Sequence, residues 1–330
     1  MARDGFFDDV DACFGHHPGS LNTSSLSSST AVFGVKFHYY GKTSHAAGSP
    51  EQGRSALDAI ELMNVGVNYL REHVIDKARI HYVIEQGGGQ PNVVPDYARS
   101  WYYIRAPEMD QLRPIYDRVL RIAEGAALMT ETTLKVDFID GLSNKIPNRV
   151  MAELVVKNMR EIGFPKPSEE EVMFAAEIAK TVPKEQKIDN LRKSKIPNWE
   201  KYVDVDIVTD IFDPFNDGEV MGGSTDTGDV SWVTPTAEFG TAAFVLGAPS
   251  HAWPAVACSG TEMGHKSLVF ATKVAAGAAL DVIMDSSIVI PAKEELKKRL
   301  AGRRYTAPLP EGLKPPVEMA RANAAKQPRQ

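Results

Sequence analysis

The sequence predicts an α/β fold in which a β-α-β-β-α-β unit, residues 31–140, interrupts a longer and less regular αβ region at 1–30 and 141–302. Three observations carry this. Strand-like runs rich in Val, Phe, Tyr and Ile bracket the unit and divide it. Two segments with apolar residues every three or four positions lie between them. After Gly141 that regularity is lost.

Taken in order, residues 10–14 are strand-like, and the Ser/Thr-rich stretch 23–30 reads as a connector or hinge. Residues 32–40 alternate enough to form a strand, which Gly41 ends. From 51 to 74, Ala56, Ile60, Met63, Val67, Leu70 and Val74 share one helical face. Residues 79–84 and 98–104 are strand-like. Residues 109–128 are helical through Leu112, Tyr116, Val119 and Ala123, and 133–138 close the unit. This order is the ferredoxin-like split unit, whose open sheet leaves an edge strand for a second copy to cover. Beyond it, 148–159 should be a helix and 168–202 a charged, solvated insert. Residues 242–246 should be a short buried strand, and Ser259 with Glu262 a capping box before an Ala-rich core helix at 262–284. The segment 303–330, rich in Pro, Ala and Arg without periodicity, is expected to be disordered.

The 330 residues are 43% hydrophobic and 24% charged with a net charge of -6, which gives no bulk attraction for nucleic acid or an anionic membrane. Neither is expected as a partner. The longest apolar run, 268–284, is broken by Lys273 and Asp281, and no signal peptide is recognised, so a cytoplasmic protein is expected. The two cysteines, Cys13 and Cys258, are far apart and read as reduced, packed thiols. No phosphate loop, dinucleotide fingerprint or Gly-x-Ser-x-Gly elbow is present, so chemistry falls to histidines and carboxylates. His17, beside Pro18 after a strand-like run, can coordinate a metal or act as a base. His251 lies on a Pro/Gly-rich loop, where site residues concentrate. Asp226 and Asp229 are turn formers or site residues.

Several motifs in one order go further: Gly41-Lys-Thr-Ser-His45-Ala-Ala-Gly-Ser-Pro50, Pro91-Asn92-Val-Val-Pro95, Ile104-Arg105-Ala-Pro-Glu108, Gly223-Ser-Thr-Asp226-Thr-Gly-Asp229-Val-Ser231 and His251-Ala-Trp253. Together they resemble the dinuclear-metal amidohydrolases and exopeptidases of the aminoacylase and glutamate carboxypeptidase family. The resemblance implies a phosphorylase/hydrolase-like catalytic domain, partial here, interrupted by a lid and dimerisation domain at 31–140. It implies His17 and His251 as metal ligands, and His45 as a catalytic group that reaches a partner's site and donates to the oxyanion. Asn92 and Arg105 would bind substrate, while Asp226, Asp229 and His265 would support the site. It also implies two divalent metals per complete site (zinc, manganese or cobalt), a homodimer or a heterodimer with a related subunit, and a small-molecule amide substrate. That substrate would be an N-acyl amino acid, a dipeptide or an aminobenzoyl-glutamate-like amide. The family's upstream His-and-Asp ligands and Glu-Glu base have no counterpart in the first 30 residues, and Glu169-Glu170-Glu171 falls in the charged insert. The chain is therefore expected to be truncated and inactive alone. The alternative is a non-catalytic, dimerising or ligand-binding remnant.

Overall fold

The computed structural model describes residues 1–315, 317 and 321. It divides into two compact units. One comprises Met1–Ala31, Ala106–Met109 and Leu142–Thr306, and the other Val32–Arg105, Asp110–Gly141 and the segment from Ala307.

The chain opens in the first unit with three short strands, β1 (Cys13–His16), β2 (Thr23–Ser24) and β3 (Ser28–Ser29). The Ser/Thr stretch is thus not a loose connector. Ser24 and Ser27 are buried, and Ser24 Oγ donates to the Glu238 carbonyl at 3.0 Å, so the hydroxyls replace the water they lose.

The second unit is β4 (Ala31–Tyr40), α1 (Ala56–Leu70), β5 (Arg79–Gln86), β6 (Tyr97–Ala106), α2 (Met109–Thr130) and β7 (Thr133–Leu142), in the sheet order β5-β6-β4-β7. That order is the split β-α-β arrangement. Central β4 is almost wholly buried, with Val35, Phe37 and Tyr39 at 0% exposure, whereas β6 alternates and buries Ala98, Ser100, Tyr102 and Ile104. Each such large apolar side chain contributes roughly 1.5–3 kcal/mol. Helix α1 begins later than its periodicity indicates because Ser55 caps it, its hydroxyl accepting from Asp58 N. Inside, Tyr102 Oη donates to Asn64 Oδ1 and Tyr39 Oη donates to the Ala123 carbonyl at 2.9 Å, so both core tyrosines have partners. Burial raises both phenols' pKa values beyond the usual range.

The chain then returns to the first unit with α3 (Arg149–Ile162), α4 (Glu169–Ala179), α5 (Lys184–Ser194), β8 (Val220–Met221), α6 (Thr227–Ser231), β9 (Thr236–Gly240), α7 (Trp253–Ser259), α8 (Glu262–Met284) and α9 (Val289–Leu300). Strand β9 lies between β1, which it pairs in parallel from Cys13↔Thr236 to His16↔Phe239, and antiparallel β2. Met151, Val155 and Met159 of α3 pack there with Phe239, Phe270 and Val274.

Five local expectations change. The buried strand falls at Thr236–Gly240, not 242–246, where only Ala242 makes a single bridge, to Gly19, before the chain bends and turns. The 168–202 insert is not a solvated excursion. Ala175 and Ile178 pack with Val245, Cys258 and Met263, and Leu191 and Ile196 pack with Val208, Phe212 and Leu246. Most of its charges face outward while apolar residues go in, and the two that are buried have partners, Glu171 with Lys266 Nζ and Lys187 Nζ with the Val205 carbonyl. The capping box forms at Ser168 and Glu171. Ser259 Oγ instead donates back to the Ala255 carbonyl, and Thr261 precedes α8 without a side-chain cap. Helix α8 buries one face only, leaving Leu268, Leu280 and Ile283 exposed. It is long and apolar enough to cross a membrane by length and composition, yet Asp281 in it accepts from Lys157 Nζ and Asn158 Nδ2 of α3. Of the tail at 303–330, Arg303 is fastened to Glu108 at 3.1 Å and Tyr305 to Asp229 at 3.0 Å. Residues 316, 318–320 and 322–330 lie outside the described residues.

Candidate functional site

The second unit brings His45 and Asn92 together. Two loops pair as a miniature ladder: His45 bridges Val93, Ala46 N donates to the Asn92 carbonyl at 2.9 Å, and Val94 N donates to the Ser44 carbonyl at 3.0 Å. Small residues permit this closeness, since a Cβ on Gly53 would lie 2.5 Å from Ser44 Oγ and one on Gly41 would lie 2.0 Å from the Arg54 carbonyl oxygen. The His45 ring is locked by its own loop. Its Nδ1 accepts from Ala47 N at 3.2 Å and Gly48 N at 3.0 Å, which puts the neutral ring's proton on Nε2. The exposed His45 therefore presents an N–H donor, the polarity an oxyanion requires.

Arg105 stands at the other end of β6, its guanidinium 5.6 Å from the Tyr103 ring centre. From Tyr97, next to the Asn92 loop, to Arg105 is eight residue steps, roughly 26 Å at about 3.3 Å per step. Arg105 and the end of β6 that the Asn92 loop enters are therefore a strand's length apart.

In the first unit, His17 directly follows β1 and is exposed. Its Nδ1 lies 2.9 Å from the Pro18 carbonyl oxygen, which can only accept, so Nδ1 carries the proton and Nε2 keeps a lone pair. That is the arrangement metal-ligating histidines adopt. His251 is exposed on the turn before α7. His265, on α8, faces Glu262 at 3.6 Å and lines a separate cavity with Lys266 and Phe270. The donor set stops short of a dinuclear cage, because no group of three or more His, Cys, Asp or Glu able to hold a metal assembles among the described residues. Two histidines do not fit two metals. Burial raises the thiol pKa of both Cys13 and Cys258, which disfavours the nucleophilic thiolate.

The Gly223–Ser231 motif acts as a clasp. Thr30 N donates to the Gly223 carbonyl at 2.8 Å, and Ser224 Oγ donates to the Thr30 carbonyl at 2.7 Å. Exposed Asp226 opens α6, while Asp229 within it takes Ser143 N at 3.2 Å, Ser143 Oγ at 2.8 Å and Tyr305 Oη at 3.0 Å. Ile146 N donates to Ser231 Oγ at 2.8 Å, and Trp232 Nε1 donates to the Asn144 carbonyl at 2.7 Å. Gly228 is required because a Cβ there would lie 2.1 Å from the Ser143 carbonyl oxygen. Thr30 and Ser143 adjoin the points where the chain leaves and re-enters this unit, so the motif secures both roots of the insertion. Burial pushes the Asp229 carboxyl above the ordinary aspartate range, against the donors that favour its ionised form.

Sequence reasoning missed a cavity of about 420 Å³ beside His17. Phe215, Met221 and Phe239 line it, together with an ion pair, Lys145 Nζ to Glu238 Oε2 at 2.8 Å, whose side chains are 10% and 16% exposed. One signal was available: Glu238 stands in the otherwise uncharged strand Thr236–Gly240, and a charge in so short a buried strand implies a partner.

Fold and motifs together define a chain of the metallo-amidohydrolase and exopeptidase class, and comparison with known proteins agrees. Residues 30–131 match the peptidase dimerisation domain. The sequence is 37% identical over 327 residues to one of the subunits of p-aminobenzoyl-glutamate hydrolase of Escherichia coli, covering 96% of this chain and 67% of that protein. It is 34% identical over 170 residues to Xaa-Arg dipeptidase of Mus musculus, covering 51% of this chain and 39% of that protein. A solved structure described as an aminohydrolase from methicillin resistant Staphylococcus aureus superposes with a TM-score of 0.50 at 18% identity, covering 84% of this chain and 60% of that one, which is a likeness of fold. The chain belongs to the aminoacylase and glutamate carboxypeptidase family of amidohydrolases and exopeptidases, and it spans between about two fifths and two thirds of the length of these relatives.

Proposed function

We propose that this chain contributes the substrate-orienting part of a metal-dependent amidohydrolase acting on an N-acyl amino acid, a dipeptide or an aminobenzoyl-glutamate-like amide. The carrying observation is the separation of Arg105 from His45 and Asn92 along β6. One substrate can meet both groups only if two chains contribute. We therefore assign the second unit as a lid and dimerisation domain that pairs with a second copy or a related subunit. His45 Nε2–H and the Asn92 amide donate to the oxygen of the tetrahedral intermediate, and Arg105 holds a substrate carboxylate through two parallel hydrogen bonds.

Zinc, manganese or cobalt belongs to the complete family site, and His17 Nε2 is the lone pair here best placed to bind one. Among the described residues the donor set does not form the cage that two metals require. The same observation supports a non-catalytic reading for these residues by themselves. The purified chain should sediment as a dimer, bind zinc or manganese weakly, and leave p-aminobenzoyl-glutamate intact. Turnover abolished both by chelation and by His251→Ala would overturn the non-catalytic half. Assigning His45 and Arg105 to one site across two chains is tested in a complete family enzyme carrying this segment. There His45→Ala and Arg105→Ala should each abolish hydrolysis, and mixed dimers of the two should recover about a quarter to a half of it. No recovery in verified mixed dimers would reject the shared site.

A further inference from the structure

We infer that Tyr103 and Asp140 are positioning residues for Arg105: the Tyr103 ring seats the guanidinium, and Asp140 fixes that ring by accepting its phenolic hydrogen. The inference rests on the reading of Arg105 as the residue that holds a substrate carboxylate, and it names what aims that residue.

Strand β6 places Tyr103 and Arg105 two positions apart, on the face opposite buried Tyr102 and Ile104. The guanidinium stands over the Tyr103 ring at 5.6 Å from its centre, within the range of a cation–π contact. The ring is held from its other end. Tyr103 Oη donates to Asp140 Oδ2 at 3.2 Å, and Asp140 belongs to β7, which β4 separates from β6. The contact therefore reaches across a whole strand, and the residue it passes is Gly34. A Cβ at Gly34 would lie 2.2 Å from Asp140 Oδ1 and 2.9 Å from Tyr103 Cε1. Glycine inside a strand such as β4 normally weakens it, because it packs nothing. Here the missing side chain is the gap through which phenol and carboxylate meet.

Charge and entropy give the contact its purpose. Arg79 stands directly opposite Arg105 across β5 and β6, and like charges so placed repel, which makes a fixed seat for Arg105 matter. Burial pushes the Asp140 carboxyl above the ordinary aspartate range, while the Tyr103 phenol and the Arg105 guanidinium both favour its ionised form. A phenol hydrogen-bonded to a carboxylate also presents a more negative ring face to the cation. An arginine side chain turns about several bonds, and ordering it when a ligand arrives weakens binding. Seated on a fixed ring, Arg105 has given up part of that freedom beforehand.

The test uses the full chain. Asp140→Asn and Asp140→Ala remove the same charge, but only the amide still accepts from Tyr103, so comparing them separates positioning from Coulomb attraction. NMR relaxation of the Arg105 Nε–H group, assigned with Arg105→Lys, should show an ordered side chain in the wild type and in Asp140→Asn. In Asp140→Ala and Tyr103→Leu the order parameter should fall into the flexible range, below about 0.6. N-acetylglycine, an N-acyl amino acid with one carboxylate, should bind about five-fold more weakly to Asp140→Ala than to Asp140→Asn. Tyr103→Phe should weaken it to a similar degree, and the double variant Tyr103→Phe/Asp140→Ala should be no weaker than either alone, because both remove one shared contact. Thermal unfolding identifies the folded variants, and Tyr103→Phe, which deletes a single oxygen, carries the test if Asp140→Ala does not fold. A disordered Arg105 in the wild type, equal order or equal affinity in Asp140→Asn and Asp140→Ala, or an Arg105 indifferent to Tyr103→Leu would each overturn the positioning role. An ordered Arg105 whose signals ignore N-acetylglycine would overturn the carboxylate reading instead, so the two failures are distinguishable.

Discussion

The two units differ in how their functional residues are held. In the second unit, His45 and Asn92 sit on loops that pair backbone to backbone, and the tautomer of His45 is set by two N–H groups two and three residues downstream. In the first unit, the cavity is assembled from residues more than two hundred positions apart, such as His17 and Glu238, and its wall is held by side-chain contacts such as Lys145 Nζ to Glu238 Oε2 and Ser28 Oγ to the Lys145 carbonyl. Local backbone pairing preorganises a group cheaply in entropy, because few residues must be ordered to fix it. A site gathered from distant segments depends instead on buried polar contacts that are all satisfied together.

The largest effect that would break this contrast comes from glycines. Gly41→Ala would drive a Cβ to 2.0 Å from the Arg54 carbonyl oxygen, and Gly228→Ala would drive one to 2.1 Å from that of Ser143. Each should cost about 4 kcal/mol or more, because backbone rather than a side-chain tip must move. Chemical denaturation followed by hydrogen exchange should show loss of protection confined to the mutated unit. Loss spread equally over both units would show that the two do not unfold separately.

A smaller effect tests the clasp through pH. Because burial raises the Asp229 pKa, the folded state holds this proton more tightly than the unfolded chain. The residue's titration-linked stabilisation is therefore fully present below the ordinary aspartate range and is lost as pH rises through the raised value. Asp229→Asn, which does not titrate, should remove that dependence, so its cost, about 1–2 kcal/mol at low pH because an amide offers one acceptor oxygen to three donors, should shrink as pH rises through the raised value. Parallel denaturation midpoints of the two proteins across pH 3 to 7 would contradict a buried, raised carboxyl. The smallest effect leaves stability unchanged: nitrogen-15 NMR should show His45 as the Nε2–H tautomer and His17 as Nδ1–H. A reversed assignment at either would remove that residue's proposed role.

Legibility in the sequence followed the range of the interactions. The β-α-β-β-α-β order was visible because each element carries its own periodicity, two in a strand such as β6 and 3.6 in a helix such as α1. Boundaries slipped where one hydroxyl set them, as Ser55 does at α1. The 168–202 insert was misjudged because one buried residue per turn, Ala175, Ile178 or Leu191, is faint among its many charges. The Gly223–Ser231 motif stood out in sequence, but its roles as turn former and as site residue are alike at that level. Only the partners of Asp229, namely Ser143 and Tyr305, identify it as a clasp.

What the sequence determined by itself was therefore the family, through several motifs in one order, and the α/β class, through residue types and local spacing. What only the tertiary structure decided was which groups can act together. It matched Lys145 to Glu238 across 93 positions, because such a contact follows from how the whole chain packs and leaves no local trace.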